Sequence, residues 1–374
     1  MSEWKEFILK NLLIEKGYIR GPFGSSLKRS EMKKEGTPVY EQEHAIYNNR
    51  IFRFFIDKEK TAELKRFLVK DNDLIISCSG TVGKVSIIKE DDPKGIISQA
   101  LLLLRPNTEI IFPEYLHYFF KSKNGFNQLI NASEGSVQPN ISSRGIVESI
   151  PINIPPKEIQ NKILTVLFSL DDKIDLLNRQ NKTLEALAET LFRQWFNEEA
   201  DENWERGRLG DIASFFNGKS RPNEIKNGSI PIYGGNGILG STDRSNYSGM
   251  SIIIGRVGAY CGSLYLENKE IWVSDNALLS RPKNSNYIYF LFYLLKSLDL
   301  NSMAEGSSHP LLTQTLLNSI DIIIPPLEKV NSFDFQVKAL WNKIYHNLTQ
   351  IRTLTQLRDT LLPKLMCGEV RVEG

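Results

Sequence analysis

Cysteine and histidine are scarce in this sequence of 374 residues. The three cysteines and four histidines are Cys78, Cys261, Cys367, His44, His117, His309 and His346. Cysteines that are odd in number and far apart indicate reduced thiols rather than a disulfide framework. No histidine has a cysteine or carboxylate at the spacing of metal ligands. We therefore expect neither disulfides nor a metal site.

Long apolar runs and a large net charge are missing too. No stretch approaches the roughly 18 uninterrupted apolar residues of a membrane span, and the first residues, MSEWKEFILK, do not resemble a signal peptide. We expect a cytoplasmic protein without a membrane segment. The net charge is only +2, so a nucleic-acid partner would require local positive charge.

What the chain does contain is a long heptad repeat in residues 159–197. Its apolar positions are Ile163, Leu167, Leu170, Ile174, Leu177, Leu184, Ala188, Leu191 and Trp195, with Asn181 as the one polar member. Such a repeat predicts a coiled-coil helix, since ordinary amphipathic core helices are usually shorter. A related pattern recurs about 170 residues later, from Phe333 to Leu365, with Asn347 in the place of Asn181.

The segments that precede the two helices also correspond in order. The matching landmarks are Trp4 with Trp204, 36–40 with 228–233, 79–83 with 254–258, 104–106 with 280–282, 118–122 with 293–297, 134–136 with 305–307, and 154–156 with 324–326. Short apolar runs at 74–78, 85–88 and 100–104 predict strands, and residues 113–121 predict a helix that starts at proline. The chain therefore predicts one fold used twice, each copy followed by a long helix.

This order of landmarks resembles the specificity subunit of type I restriction-modification systems over essentially the whole chain. The resemblance is carried by the doubled Gly-x-Val-Gly turns, Glu-Gly-Ser segments and Ile-Pro-Pro breaks, and by the ending LLPKLM at 361–366 with Gly368. It implies an α+β fold with two target-recognition domains, at 1–156 and 200–326, in a pseudo-two-fold repeat. Two long antiparallel coiled-coil helices, the family's conserved spacer regions, are expected at 157–199 and 327–374.

The resemblance also implies the function. Each domain would read one half of a split double-stranded DNA target, and partner subunits would carry out adenine methylation and restriction. Those partners are two methyltransferase subunits and a restriction and translocation subunit, which would bind S-adenosylmethionine, ATP and magnesium. The chain itself would be non-catalytic and without cofactors; it contains neither Asn-Pro-Pro-Tyr nor Asp-Pro-Pro-Tyr. Two alternatives stay open: the detached specificity polypeptide of a bifunctional restriction enzyme, and a two-domain scaffold that does not bind DNA.

Candidate DNA contacts lie where the two copies diverge. Basic residues that could contact phosphate are Lys28, Arg29, Lys33, Lys34, Lys219 and Arg221. Side chains able to read base edges are Gln42, Gln99, Gln138, Asn140, Asn236, Arg256, Asn276 and His309, each of which could equally cap a turn. Thr81 and Lys84 are also candidates for DNA contact, and the alignment of the two copies places Thr81 opposite Arg256. Arg53, Lys65, Arg66 and Lys70 instead predict a solvated helix face.

The helix repeats predict a register as well. Antiparallel pairing of residues whose numbers sum to 528 aligns both helices along their length and sets Asn181 against Asn347. It also sets Ile163 against Leu365 and Trp195 against Phe333. One layer of this register pairs Leu170 with a charged residue, Arg358. The arginine side chain must lie along the seam so that its guanidinium reaches water. We expect the paired helices to act as a ruler for the distance between half-sites.

Overall fold

The computed structural model describes residues 4–130, 141–225, 228–304 and 310–372. The strands of the first half are β1 (Lys5–Ile8), β2 (Leu13–Arg20), β3 (Thr37–Tyr40), β4 (Phe55–Ile56), β5 (Leu74–Ser77), β6 (Val85–Ile87), β7 (Ile96–Ile97), β8 (Leu101–Pro106) and β9 (Pro151–Ile154). Its helices are α1 (Gln42–Tyr47), α2 (Lys58–Glu63), α3 (Pro113–Lys121), α4 (Lys123–Ile130), α5 (Arg144–Glu148) and the long α6 (Lys157–Arg193). A π-helical turn, Gln194–Glu198, continues α6.

The second half repeats this series of elements. Its strands are β10 (Glu205–Arg208), β11 (Ala213–Asn217), β12 (Ile230–Gly234), β13 (Gly237–Thr242), β14 (Met250–Gly255), β15 (Leu264–Asn268), β16 (Trp272–Val273), β17 (Ala277–Pro282) and β18 (Asp321–Ile324). Its helices are α7 (Leu209–Ile212), α8 (Ile288–Ser297), α9 (Leu300–Met303), α10 (Gln314–Ser319) and the long α11 (Leu327–Cys367). The strands and helices predicted from apolar runs are present, within two residues of the predicted bounds.

The chain divides into two compact units. The first unit comprises Met1–Asp175 with Ile351–Gly374, and the second unit comprises Leu176–Gln350. The two long helices, α6 and α11, each contribute one part to each unit. The helices are therefore integral to both cores rather than linkers between finished domains.

The first unit is built on an antiparallel sheet with the strand order β2-β8-β5-β6. Strand β8 is buried on both faces: Leu102 and Leu104 pack in one apolar cluster, while Leu101 and Leu103 pack in another. The cluster of Leu102 includes residues of α3, α6 and α11. A smaller sheet has the order β4-β3-β7, in which β3 is antiparallel to β4 and parallel to β7, and β1 pairs with β9.

The second unit has the same topology. Its larger sheet has the order β11-β17-β14-β15, and its smaller sheet has the order β13-β12-β16 with the same strand directions. Strand β10 pairs with β18, as β1 does with β9. Leu278 and Leu279 of β17 again face different clusters. The predicted fold class, one α+β fold used twice with long helices, is confirmed.

The hydrogen-bonded ladders correct one part of the repeat alignment. The amide of Cys78 donates to the carbonyl of Ala100 at 2.9 Å, and the amide of Arg256 donates to that of Asn276 at 3.0 Å. These two bonds occupy the same place, directly after the pairs Ser77–Leu101 and Gly255–Ala277. Arg256 therefore corresponds to Cys78, and its alignment with Thr81 is wrong.

The Gly-x-Val-Gly match was out of register for the same reason. Gly83 donates to the carbonyl of Ser77 at 2.8 Å, and Gly262 donates to that of Gly255 at 2.8 Å. Both glycines have positive φ, at 77° and 85°, a conformation that other residues rarely adopt. The counterpart of Gly83 is thus Gly262 rather than Gly258, because the loop of the second unit is one residue longer.

The long helices pair in the predicted register. In the second unit, Nδ2 of Asn347 donates to Oδ1 of Asn181 at 2.9 Å, and both side chains are buried. The rings of Trp195 and Phe333 lie 6.2 Å apart between centroids. In the first unit, Ile163 and Leu365 belong to the same apolar cluster.

Arg358 differs from its expected environment. Its Nη1 lies 2.8 Å from Oδ1 of Asp171, and its Nη2 lies 2.8 Å from Oδ1 of Asp359. The side chain is only 22% exposed, so carboxylates rather than water alone compensate its charge. Burial would raise the pKa of Asp171, but hydrogen bonds from Tyr118 and Arg358 outweigh it and lower that pKa. In the layer of Leu170 and Arg358, the charge of the arginine is therefore compensated by an ion pair.

The buried amide pair gives a first prediction. Asn181→Leu or Asn347→Leu alone would leave one amide without its partner in an apolar seam, so we expect a loss of about 1 to 3 kcal/mol in the free energy of unfolding. The double substitution to leucine should recover most of that loss, because both polar groups are removed. Thermal and chemical unfolding of the four proteins measures this coupling. Additive losses would contradict a specific amide pair.

Asp334 gives a pH-dependent prediction. Its buried carboxyl accepts the amides of Tyr289 at 3.1 Å and Phe290 at 2.9 Å, and burial raises its pKa to about 7. The carboxyl has a higher pKa in the folded protein than in the unfolded chain, so protonation at low pH favours the folded state. This contribution to the free energy of unfolding is lost as the pH rises to about 7.

We therefore expect the stability of the wild type to fall from about pH 5 to pH 8 by roughly 1 to 3 kcal/mol more than that of Asp334→Asn. Urea titrations of both proteins across this range measure the difference. Parallel profiles would show that Asp334 does not titrate there.

Candidate nucleic-acid interface

Four of the candidate residues of the second unit gather at one edge of its larger sheet. At this edge β11 and β14 end and β17 begins. Arg256 and Asn276 are joined there by their backbone bond of 3.0 Å, and the amide of Lys219 donates to the carbonyl of Val273 at 3.0 Å. The turn of Asn236 adjoins them, since a Cβ on Gly235 would lie 3.3 Å from the carbonyl oxygen of Asn276. The structure thus brings together Lys219, Asn236, Arg256 and Asn276.

Arg256 is held by the chain that follows α9. Its Nε donates to the carbonyl of Leu312 at 3.3 Å, and the amide of Leu312 donates back to the carbonyl of Arg256 at 2.9 Å. The side chain is half-buried. One edge of the guanidinium is therefore fixed by the backbone, which orients the planar group; such a group can donate two parallel hydrogen bonds to one acceptor edge.

Arg221 lies apart from this group. It is exposed, forms an ion pair with Glu224, and donates from Nη2 to the carbonyl of Leu239 at 3.2 Å. Its charge is therefore already compensated within the second unit. His309 lies outside the described residues.

The first unit has an equivalent edge, where β2 and β5 end and β8 begins. Here the backbones approach so closely that a Cβ on Gly21 would lie 1.9 Å from the carbonyl oxygen of Ser98. In the second unit a Cβ on Gly218 would lie 1.8 Å from that of Ser274. Only glycine fits either place, which identifies the two edges as one structural feature.

The candidate readers of the first unit lie around this edge. Gln42, the first residue of α1, donates from Nε2 to Oγ of Ser79 at 3.0 Å. The carbonyl of Thr81, in the same loop, accepts a bond of 2.6 Å from Oγ of Ser77. Gln99 is exposed in the turn before β8. Gln138 and Asn140 lie outside the described residues.

The basic candidates of the first unit have mixed environments. Lys33 forms an ion pair of 2.7 Å with Asp57, which raises the pKa of the lysine through a direct hydrogen bond. Its backbone bridges to Phe55, so the basic loop lies against β4. Two side chains approach rings, Arg29 at 5.8 Å from Phe54 and Lys84 at 5.8 Å from Phe126. Lys28 and Lys34 are exposed.

The structure adds a basic feature that the sequence did not reveal. Arg20, Arg66 and Arg144 line one cavity of about 430 Å³ beside the edge of the first unit. The charge pattern predicts a solvated helix face for Arg66; this residue is exposed, and it also borders the cavity. The sequence contains one indication of this basic feature. The residue directly before the close-packed glycine is Arg20 in the first copy and Asn217 in the second.

Other kinds of site find little support in the described residues. Among them, no group of three or more His, Cys, Asp or Glu side chains is placed to hold a metal ion. Burial raises the pKa of the Cys78 thiol to about 12, so this thiol is protonated and a poor nucleophile at neutral pH. Nor does any described helix have the length and apolar character needed to cross a membrane.

Comparison with known proteins agrees with the duplicated architecture. The family model described as the type I restriction modification DNA specificity domain matches residues 1–186 and again 201–361. The division falls close to the end of α6. Both copies of the fold are thus matched.

Relatives of known family span most of the chain. The type I restriction enzyme MjaIX specificity subunit of Methanocaldococcus jannaschii is 31% identical over 70% of this chain and 70% of its own. The HindI specificity subunit of Haemophilus influenzae is 23% identical over 99% of this chain and 100% of its own. A solved type I S subunit from M. genitalium shares the fold, with a TM-score of 0.60 at 19% identity over 98% and 96% of the two chains. With the family model matched over both halves, this chain belongs to the type I restriction-modification specificity subunits.

Proposed function

We propose that this subunit selects a bipartite double-stranded DNA target, one half through each unit, and directs adenine methylation and restriction by its partners. The observation that carries this proposal is the pair of equivalent sheet edges. Their backbones share the glycine contacts and ladder bonds, while their side chains differ: Gln42, Thr81 and Gln99 in one, Asn236, Arg256 and Asn276 in the other. A constant frame with divergent hydrogen-bonding groups is suited to reading two different base sequences.

The division of labour follows from the side chains. The candidate groups at both edges are amides, hydroxyls, lysines and arginines, which are the groups that bind bases and phosphates. We therefore assign catalysis to two methyltransferase subunits and to a restriction subunit. S-adenosylmethionine, ATP and magnesium would bind to those partners and none of them to this chain. The paired helices would set the number of unread base pairs between the half-sites.

Exchange of one unit's reading segment tests the function. Replacing residues 17–140 by the equivalent part of another specificity subunit should change one half of the methylated sequence and leave the other half intact, because each unit has its own core. Methylome sequencing of cells that carry the exchanged gene and its methyltransferase gives the readout. Simultaneous change of both halves would refute independent reading.

The same strain without the gene serves as the control. A detached specificity polypeptide would still select DNA, but only together with a bifunctional restriction enzyme. A scaffold that does not bind DNA would leave the methylome unchanged. Gel shifts with and without the co-expressed methyltransferase separate these alternatives directly.

Single substitutions should separate base contacts from phosphate contacts. Arg256→Ala removes an oriented guanidinium, so we expect discrimination in the second half-site to fall by about 1 to 3 kcal/mol. Lys33→Ala should instead weaken binding to all sequences alike, by an amount reduced through its pairing with Asp57. Fluorescence anisotropy with target and random duplexes measures both effects.

Matched variants control these measurements. Arg244→Ala removes an arginine of the same unit whose side chain is 79% exposed, and it should not alter discrimination. Lys34→Ala is the comparison for Lys33: Lys34 is an exposed candidate phosphate contact of the same loop, so its removal should also weaken binding to all sequences alike. Equal losses on target and random DNA for Arg256→Ala would exclude this residue as a base reader.

A further inference from the structure

The cavity of Arg20, Arg66 and Arg144 combines a concentration of positive charge with a concave surface. Tyr18 and Phe67 contribute aromatic surface, and Ser143 adds a hydroxyl group, whereas the hydroxyl of Ser142 donates to the carbonyl of Leu129 at 3.0 Å. Arg144 lies over the ring of Tyr18, with its Cζ 5.2 Å from the centroid. The three arginines come from β2, from the turn after α2 and from α5, so the fold, not a sequence motif, brings them together.

The positive charge of this cavity is only partly compensated. Arg144 pairs with Glu148 at 2.8 Å, but within the described ranges neither Arg20 nor Arg66 has a carboxylate within ion-pair distance. Nη1 of Arg20 is buried without a hydrogen-bond partner in the described structure. A buried donor left without an acceptor is costly, the more so when it is charged. An anion in the cavity would compensate the charge of the guanidinium groups that line it.

The second unit shows that this charge is not a requirement of the fold. Asn217 corresponds to Arg20, because each precedes the glycine that closes the edge and pairs with β17 or β8. Gln314 corresponds to Arg144, because each begins the helix that leads into β18 or β9.

The side-chain amide of Gln314 bonds to the backbone of β11. In the orientation that provides both of its polar atoms with partners, it donates to the carbonyl of Phe215 at 3.2 Å and accepts from the backbone amide of Asn217 at 3.0 Å. Neutral groups thus occupy the place where the first unit has two guanidinium groups. The difference between the units is therefore a difference in ligand rather than in framework.

We propose that the cavity of Arg20, Arg66 and Arg144 binds a phosphodiester group of DNA, and that the second unit makes no equivalent contact. The inference rests on the proposed function and deepens it. Guanidinium groups bind phosphate through paired, charge-assisted hydrogen bonds. Oγ of Ser143 makes no capping bond to α5, so it provides a further donor.

The arrangement of donors favours phosphate over a base. A phosphate group presents acceptor oxygens in several directions and can receive donors from three separate elements. Guanine presents its O6 and N7 acceptors along a single edge, which one arginine suffices to bind. Three arginines from different elements therefore fit a phosphate better than a base. This contact would anchor the first unit on any sequence.

The test uses Arg20→Asn, Arg144→Gln and the double variant in the full chain assembled with its methyltransferase. These substitutions install the residues of the second unit. We expect the affinity to fall equally for target and random duplexes, and the slope of log K against log salt to become shallower by about 1 for the lost phosphate contact. The methylated sequence should stay the same. Arg371→Gln, an exposed arginine of the first unit, controls for net charge.

Two further controls make the outcome decisive. Arg20→Lys keeps the charge and should keep the salt slope, and melting curves show whether each variant is folded. A slope and affinity equal to those of Arg371→Gln would overturn the proposal. Loss of affinity on target DNA alone would also overturn it, because Arg20 would then read a base.

Inorganic phosphate provides an independent arm at constant ionic strength. It should raise the melting temperature of the wild type more than that of Arg20→Asn. If it does so while the DNA salt slope is unchanged, the cavity binds free phosphate and the DNA assignment is wrong. If the wild-type assembly selects no DNA at all, the proposed function fails, and the phosphate arm alone decides whether the cavity is an anion site.

Discussion

A buried amide in an apolar helix seam must meet another polar group, and this requirement fixes the pairing of α6 with α11. A slip by one heptad would set Asn181 and Asn347 each against an apolar residue, so the 2.9 Å bond between them selects one register. The cores depend on that register, because Ile163 and Leu365 complete the apolar cluster of the first unit while Trp195 and Phe333 pack in the second. The ion pair of Arg358 with Asp171 then satisfies a layer that apolar packing would not tolerate.

The side chains at the two sheet edges can differ without any change in this helix register. Their geometry is set by backbone groups, namely the ladder bonds of Cys78 and Arg256 and the close approach at Gly21 and Gly218. These contacts join backbone atoms, so the side chains at the edges can change without loss of the ladder bonds. This separation explains how one framework, used twice in a single chain, can present amides at one edge and an oriented arginine at the other.

Sequence reasoning succeeded where a pattern is periodic or local. Heptad spacing predicted both long helices and the Asn181–Asn347 register, and short apolar runs predicted β5, β6 and β8. It failed where the alignment of the two copies depends on the hydrogen-bond register of the strands. The Gly-x-Val-Gly similarity aligned Thr81 with Arg256, whereas the hydrogen bonds align Cys78 with Arg256. It also missed Arg20, since the difference between Arg20 and Asn217 before the matching glycines becomes visible only with the correct alignment, and the neighbours of Arg20 arise only from tertiary structure.

In the corrected alignment, the two units differ in which strand carries an arginine at the sheet edge. Arg20 is a cross-strand partner of Leu102, as Ile76 is, and Cys78 lies two residues beyond Ile76, so both side chains belong to the same face of the sheet. At these two positions the first unit has arginine and cysteine, and the second has Asn217 and Arg256. Each unit thus has one arginine at these two positions, carried by β2 in the first unit and following β14 in the second. The corresponding edges therefore present their guanidinium donors from different positions of the same framework.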